Sequence, residues 1–161
     1  MSDESNLSGV IAPQRVSLNT EISSKKKLLE KMAELLASDS SLELKPKEVL
    51  HLLLDREKVG NTGIGEGIAL PHSRCANVPK AVLAVLTTHQ AVDYDSIDSQ
   101  PVQLAFGLLV PQEANAQHLT LLSKIAQIMR VPGRLDTIVA MQDAQALLDS
   151  IMDWEASSWR T

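Results

Sequence analysis

The chain has 161 residues, 44 % of them apolar and 22 % charged, and a net charge of −5 at neutral pH. This length and apolar content suit one domain with a real core and argue against disorder. The acidic balance and an aromatic content of only 2 % argue against nucleic-acid binding by a basic stripe or by base stacking.

Residues 1–8 are acidic and polar and are predicted to be a mobile tail, ahead of a domain spanning 9–154 and a second tail over 155–161. No apolar run resembles a signal peptide or a membrane span, so the expected location is the cytoplasm. The single cysteine, Cys75, allows no internal disulfide and no cysteine metal cluster, which suits a reducing compartment. A lone cysteine is usually a small packing residue, and that reading is preferred to a redox role beside His72.

In chain order, the mixed pattern of residues 7–18 predicts little beyond a short strand near Val16. Ser24 is placed as the N-cap of a helix over 25–37, with Leu28, Leu29, Met32, Leu35 and Leu36 on its buried face. Lys25, Lys26 and Lys27 read as its solvated start. Pro46 suits the first turn of a second helix ending near residue 55, with Val49, Leu50, Leu53 and Leu54 as its stripe and His51 off it.

The apolar runs 81–87 and 102–110 suit central strands covered on both faces. His89 is expected in the polar turn after the first run. Asp93, Asp95 and Asp98 lack the glycine and final glutamate of a calcium loop, so they read as turn residues and no metal is expected. Asn115 is the predicted N-cap of a helix over 116–129, whose core face is Leu119, Leu122, Ile125, Ala126 and Met129. His118 then falls in its first turn, near the positive end of the helix dipole. Val131-Pro132-Gly133 breaks the chain before short helices over 134–140 and 143–154. Strands between helices give one α/β domain.

The most informative stretch runs from Arg56 to Arg74. Four of the seven glycines lie at positions 60, 63, 65 and 67, followed by Pro71 and His72. Gly60 and Gly65 have P-loop spacing, but Glu66 follows where the phosphate-binding lysine belongs. The run Gly63, Gly65, Gly67 leads into a short strand over 68–70, not into the helix of a dinucleotide fingerprint. Glycine freedom and the fixed φ of proline make this a segment able to hold His72 in a set direction at a surface. A plain glycine turn with a solvent-facing His72 fits the residues as well. Arg56 pairing with Asp55 or Glu57, and His118 as an ordinary helix residue, are the equivalent plain readings of those two.

The string G-N-T-G-I-G-E-G-I-A-L-P-H, ending at His72, resembles the phosphorylation-site signature of the fructose/mannitol-type enzyme IIA proteins of the bacterial phosphotransferase system. The stretch D-Y-D-S-I-D-S-Q-P-V-Q-L-A-F-G-L-L-V-P from Asp93 looks like the nitrogen-regulatory branch, and H-L-T-L-L-S-K-I-A from His118 resembles the segment of the second active-site histidine. Many members carry glycine and a basic residue after the histidine; here Ser73 and Arg74 stand there. The resemblance implies a three-layer fold with a mixed five-stranded sheet flanked by helices. It implies His72 as phosphoryl acceptor, Arg56 as the cation offsetting charge on the transferring oxygens, and His118 as a second group steadying them. It implies a phosphocarrier rather than a turnover enzyme, with an HPr-like protein as donor and no cofactor. Regulatory targets such as potassium transport or sensor-kinase proteins would read its state. A stand-alone sugar-specific IIA subunit, passing the group to a IIB partner, is the alternative.

Overall fold

The computed structural model describes residues 6–39, 42–114 and 116–158; Asn115 and the side chains of 116–119 and 158 lie outside the described residues, and with them the expected N-cap and the His118 ring. Strands β1 (Ile11–Thr20), β2 (Gly63–Gly65), β3 (Ile68–Ala69), β4 (His72–Cys75), β5 (Val82–Val92) and β6 (Val102–Pro111) form one sheet. Helices α1 (Lys25–Leu36), α2 (Pro46–Val59), α3 (Ala116–Met129), α4 (Arg134–Val139) and α5 (Ala144–Ser158) cover it.

The sheet order is β1-β5-β6-β3-β2, with β4 also paired to β6. β1 runs parallel to β5, β5 antiparallel to β6, and β3 and β4 both parallel to β6, so the sheet is mixed. Ile68 pairs with Leu104 and His72 with Leu108, so β3 and β4 keep one register along β6. They are one strand interrupted at Leu70-Pro71, because proline cannot donate to the ladder. The six segments thus occupy five positions across the sheet, as the family resemblance implies.

Side chains of β5 and β6 alternate between two cores. Leu83, Val85, Phe106 and Leu108 pack with Leu121, Ile125, Leu147 and Ile151 of α3 and α5. Ala84, Leu86, Ala105 and Leu109 pack with Leu28, Met32, Val49 and Leu53 of α1 and α2. This is the three-layer α/β arrangement expected. Gly107 lies where α1 crosses the sheet; a Cβ there would stand 2.3 Å from the Met32 sulfur.

Several details differ from expectation. β1 is a ten-residue edge strand, not a short one; Pro13 and breaks in its register with β5 hide it from pattern reading. Leu7 is 1 % exposed within a 3-10 turn, Leu7–Gly9, and its N–H donates to Glu155 Oε2, so packed structure begins before residue 9. At the other end α5 continues past Trp154 to Ser158. His89 lies in β5 rather than in a turn, and is exposed.

On α3, Ile125 and Met129 are buried as expected, but Leu122 and Ala126 are only half-buried, and Leu121 and Ile128 are buried as well. The helix carries Lys124 inward, where Nζ meets Glu155 Oε2 at 3.1 Å and Asn6 Oδ1 at 3.2 Å. On α2 only Val49 and Leu53 of the expected stripe are buried. That helix also runs four residues further than predicted, so Arg56 stands on its last turn.

Candidate functional site

The segment after α2 folds locally for identifiable reasons. β2 and β3 pair antiparallel around Glu66-Gly67, and both turn residues have positive φ, 56° and 85°. Such primed turns match strand twist, and glycine takes the positive φ without cost. Gly65 also has positive φ, 89°, and a Cβ there would sit 3.0 Å from Asp98 Oδ2. Asp98 accepts the Glu66 N–H at 2.8 Å and the Gln100 N–H at 3.1 Å. Those backbone bonds favour the ionised form and hold the Asp98 carboxyl below the usual carboxylate range. Asn61 donates to the Tyr94 and Asp95 carbonyls at 2.9 and 3.1 Å. Of the aspartates expected as turn residues, Asp98 holds the glycine segment through its carboxylate and Asp95 through its carbonyl, while Asp93 caps the Asp95 N–H. Among the described residues no cluster of three His, Cys, Asp or Glu is placed to hold a metal.

His72 opens β4 and is half-buried. Its Nδ1 lies 2.6 Å from the Leu70 carbonyl oxygen. A carbonyl only accepts, so Nδ1 carries the hydrogen, and the neutral ring has its lone pair on Nε2. Leu70 is held in turn, its N–H donating to the Thr62 carbonyl at 2.8 Å. Pro71 prevents a regular ladder here and turns the Leu70 carbonyl back to the ring two residues on.

A cavity of about 400 Å3 brings His72, Ser73 and Arg74 of β4 against Leu52, Asp55, Arg56 and Val59 of α2. Two of the three predicted residues thus share one surface. The backbone of His118 is in the first turn of α3, as expected. Arg56 does not take either carboxylate beside it. Asp55 pairs with Lys58 at 3.5 Å and Glu57 with Lys25 at 2.9 Å. Arg56 Nη1 donates instead to the Gly60 carbonyl at 2.9 Å, a cation placed where the α2 dipole favours one. A larger cavity, about 660 Å3, lies between α1 and α2 against Leu29, His51, Leu54 and Glu57; no residue from Gly60 to His72 lines it.

Three features were not legible in the sequence. Arg74 lies two residues from His72, hence on the same side of β4. It donates through Nη1 to the Gln112 carbonyl at 3.0 Å and to the Ala114 carbonyl, tying β4 to the loop that leads into α3. Its spacing from His72 was the available signal. The side chain of Glu57, read as a surface residue, is only 7 % exposed. It receives the Thr62 N–H, the Thr62 hydroxyl and the Tyr94 hydroxyl, and its pair with Lys25 takes that lysine out of the solvated helix start. Tyr94 is fully buried, and loss of solvent pushes its phenol far above the ordinary tyrosine value, so it stays a neutral donor. Ser73, at the usual glycine position, pairs with Leu109 in a regular ladder without positive φ, so no glycine is required there. Cys75 is buried in the core beneath α1 and α2.

With this geometry in place, similarity to known proteins is informative. The family model for the phosphoenolpyruvate-dependent sugar phosphotransferase system, EIIA 2, matches residues 10–154. A nitrogen regulatory protein of Pseudomonas aeruginosa is 37 % identical over 147 residues, covering 91 % of this chain and 95 % of that protein. One from Escherichia coli K12 is 36 % identical over 152 residues, covering 94 % and 92 %. The crystal structure of nitrogen regulatory protein IIA-Ntr from Neisseria meningitidis superposes with a TM-score of 0.84 at 34 % identity, over 90 % of this chain and 98 % of that one. The nitrogen-regulatory resemblance read from residues 93–111 agrees with all three. The chain belongs to the EIIA 2 family of the sugar phosphotransferase system, a family of phosphocarriers.

Proposed function

We propose that His72 accepts a phosphoryl group on Nε2 from a phosphorylated HPr-like protein, and that regulatory targets read the resulting state. The observation that carries this is the bond from Nδ1 to the Leu70 carbonyl, because it directs the lone pair to Nε2. In the forward step that lone pair forms the new phosphorus–nitrogen bond while the bond to the donor nitrogen breaks, and the donor ring keeps the electron pair. The Nδ1 proton stays on His72. When the group is passed on, the ring leaves as neutral imidazole, so the same hydrogen bond serves both directions. Arg56, lining the cavity from the end of α2, offsets charge on the transferring oxygens. His118, at an α3 N-terminus whose backbone N–H groups favour anions, steadies them.

Among the described residues no helix is long and apolar enough to cross a membrane, which fits a protein working in the cytoplasm beside its donor. Potassium transport and sensor-kinase proteins are the target class that the nitrogen-regulatory resemblance favours. The test is incubation with a phosphorylated HPr-type donor and mass analysis of wild type against His72→Ala. A gain of one phosphate per chain, lost on acidification, is expected in wild type and none in the variant. A variant that still gains one acid-labile phosphate would overturn the assignment.

A further inference from the structure

A continuous series of contacts leads from α1 to the His72 ring. Lys25 Nζ is 2.9 Å from Glu57 Oε1. The same oxygen accepts the Thr62 N–H at 3.1 Å, and Oε2 accepts the Thr62 hydroxyl. The Thr62 carbonyl accepts the Leu70 N–H at 2.8 Å, and the Leu70 carbonyl accepts His72 Nδ1 at 2.6 Å. Every intermediate group is buried: Thr62 is 4 % and Leu70 6 % exposed, and the Glu57 side chain 7 %. A buried carboxylate with a cation and three hydrogen-bond donors is a well-satisfied anchor. The span between it and the ring includes Gly63, Gly65 and Gly67, whose backbones would otherwise be the most permissive in the chain.

We propose that Glu57 is a positioning residue for His72. By clamping Thr62 at both its N–H and its hydroxyl, it sets the Leu70 carbonyl, and that carbonyl selects the ring tautomer with the lone pair on Nε2. Glu57 touches neither the ring nor the phosphoryl group. The effect on phosphoryl transfer rests on His72 being the acceptor; the effect on the tautomer does not.

The experiment uses the full chain with 15N-labelled histidine, read by long-range proton–nitrogen correlation above the ring's titration range, alongside phosphate uptake from a phosphorylated HPr-type donor. Wild type should show His72 protonated at Nδ1. Glu57→Ala should give a mixture of tautomers and slow uptake by about threefold to tenfold, in proportion to the reactive fraction lost. Glu57→Gln keeps an oxygen for the Thr62 N–H and should recover most of both readouts. Tyr94→Phe removes the tyrosine hydroxyl's contacts with Glu57 and with the Thr62 hydroxyl but keeps both Glu57–Thr62 bonds, and should leave the tautomer unchanged. A folded Glu57→Ala protein with the wild-type tautomer overturns the proposal, as does slowed uptake with an unmoved tautomer. If Glu57→Ala does not fold, Thr62→Val removes one clamp alone and should shift the tautomer part of the way; no shift there overturns the proposal too. Phosphate uptake by His72→Ala would instead remove the acceptor reading and leave the tautomer result standing.

Discussion

The chemistry proposed for His72 depends on which ring nitrogen keeps its proton, and the Leu70 carbonyl places that proton on Nδ1. The ring itself does little for the fold: it is half-buried at the rim of a cavity. His72→Ala is therefore expected to abolish acceptance while shifting unfolding free energy by under about 1 kcal/mol, as denaturant titration would check. In the proposed reaction Arg56 acts on rate. There the site must admit a donor protein together with water, so the charge effect should be smaller than in a closed kinase site. Arg56→Ala should slow uptake by about tenfold to a hundredfold, at about 1.4 kcal/mol per factor of ten, measured by quenched-flow transfer from the phosphorylated donor. A wild-type rate would take Arg56 out of the site.

Among the elements, the loop holding Asp98 and the glycine hairpin stabilise each other. Asp98 titrates below its ordinary value because backbone N–H groups of Glu66 and Gln100 favour the carboxylate. A depressed folded value contributes stability above the unfolded value, about 3.9, and that contribution fades as pH falls through the folded value. Asp98→Asn should thus lower the melting temperature at neutral pH, with the gap to wild type closing in strong acid; an equal gap at both pH values would contradict this. In the core, Gly107→Ala would drive a methyl to within 2.3 Å of the Met32 sulfur, and Met32 is itself fully buried between α1 and the sheet. Overpacking of this kind should cost about 1–3 kcal/mol in chemical denaturation.

The same elements show what a sequence can reveal. α1 was legible because Ser24 caps it, its side chain accepting the Lys27 N–H at 3.2 Å, ahead of a clean apolar stripe. β5 and β6 were legible because strands buried on both faces read as unbroken apolar runs. β1 was not, since an edge strand containing Pro13 and register breaks has no period to detect. The end of α2 was misplaced because Asp55, Arg56, Glu57 and Lys58 look like a solvated exit. Only tertiary contact with Thr62 and Tyr94 reveals Glu57 as buried. Likewise the motif pointed to His72, but the carbonyl that orients it is a backbone group and leaves no trace in residue identity.

For the molecule as a whole, the proposed phosphorylation of His72 would add about two negative charges to a cavity rimmed by Arg56 and Arg74. A target docking over that surface must either supply donors or be repelled. Regulatory targets should separate the two forms by about 1–3 kcal/mol, measured by calorimetric titration with each form. Rapid stoichiometric transfer from the phosphorylated protein to a sugar IIB protein would favour the transport role instead. In the proposed transfer the Leu70 carbonyl holds the Nδ1 proton and leaves Nε2 to take the phosphoryl group. This assignment is tested most directly by phosphorus and nitrogen resonance spectra of the 15N-histidine protein after phosphorylation by the donor. A phosphoryl group on Nε2 of His72 is the predicted result; one on Nδ1, or on any other residue, would contradict it.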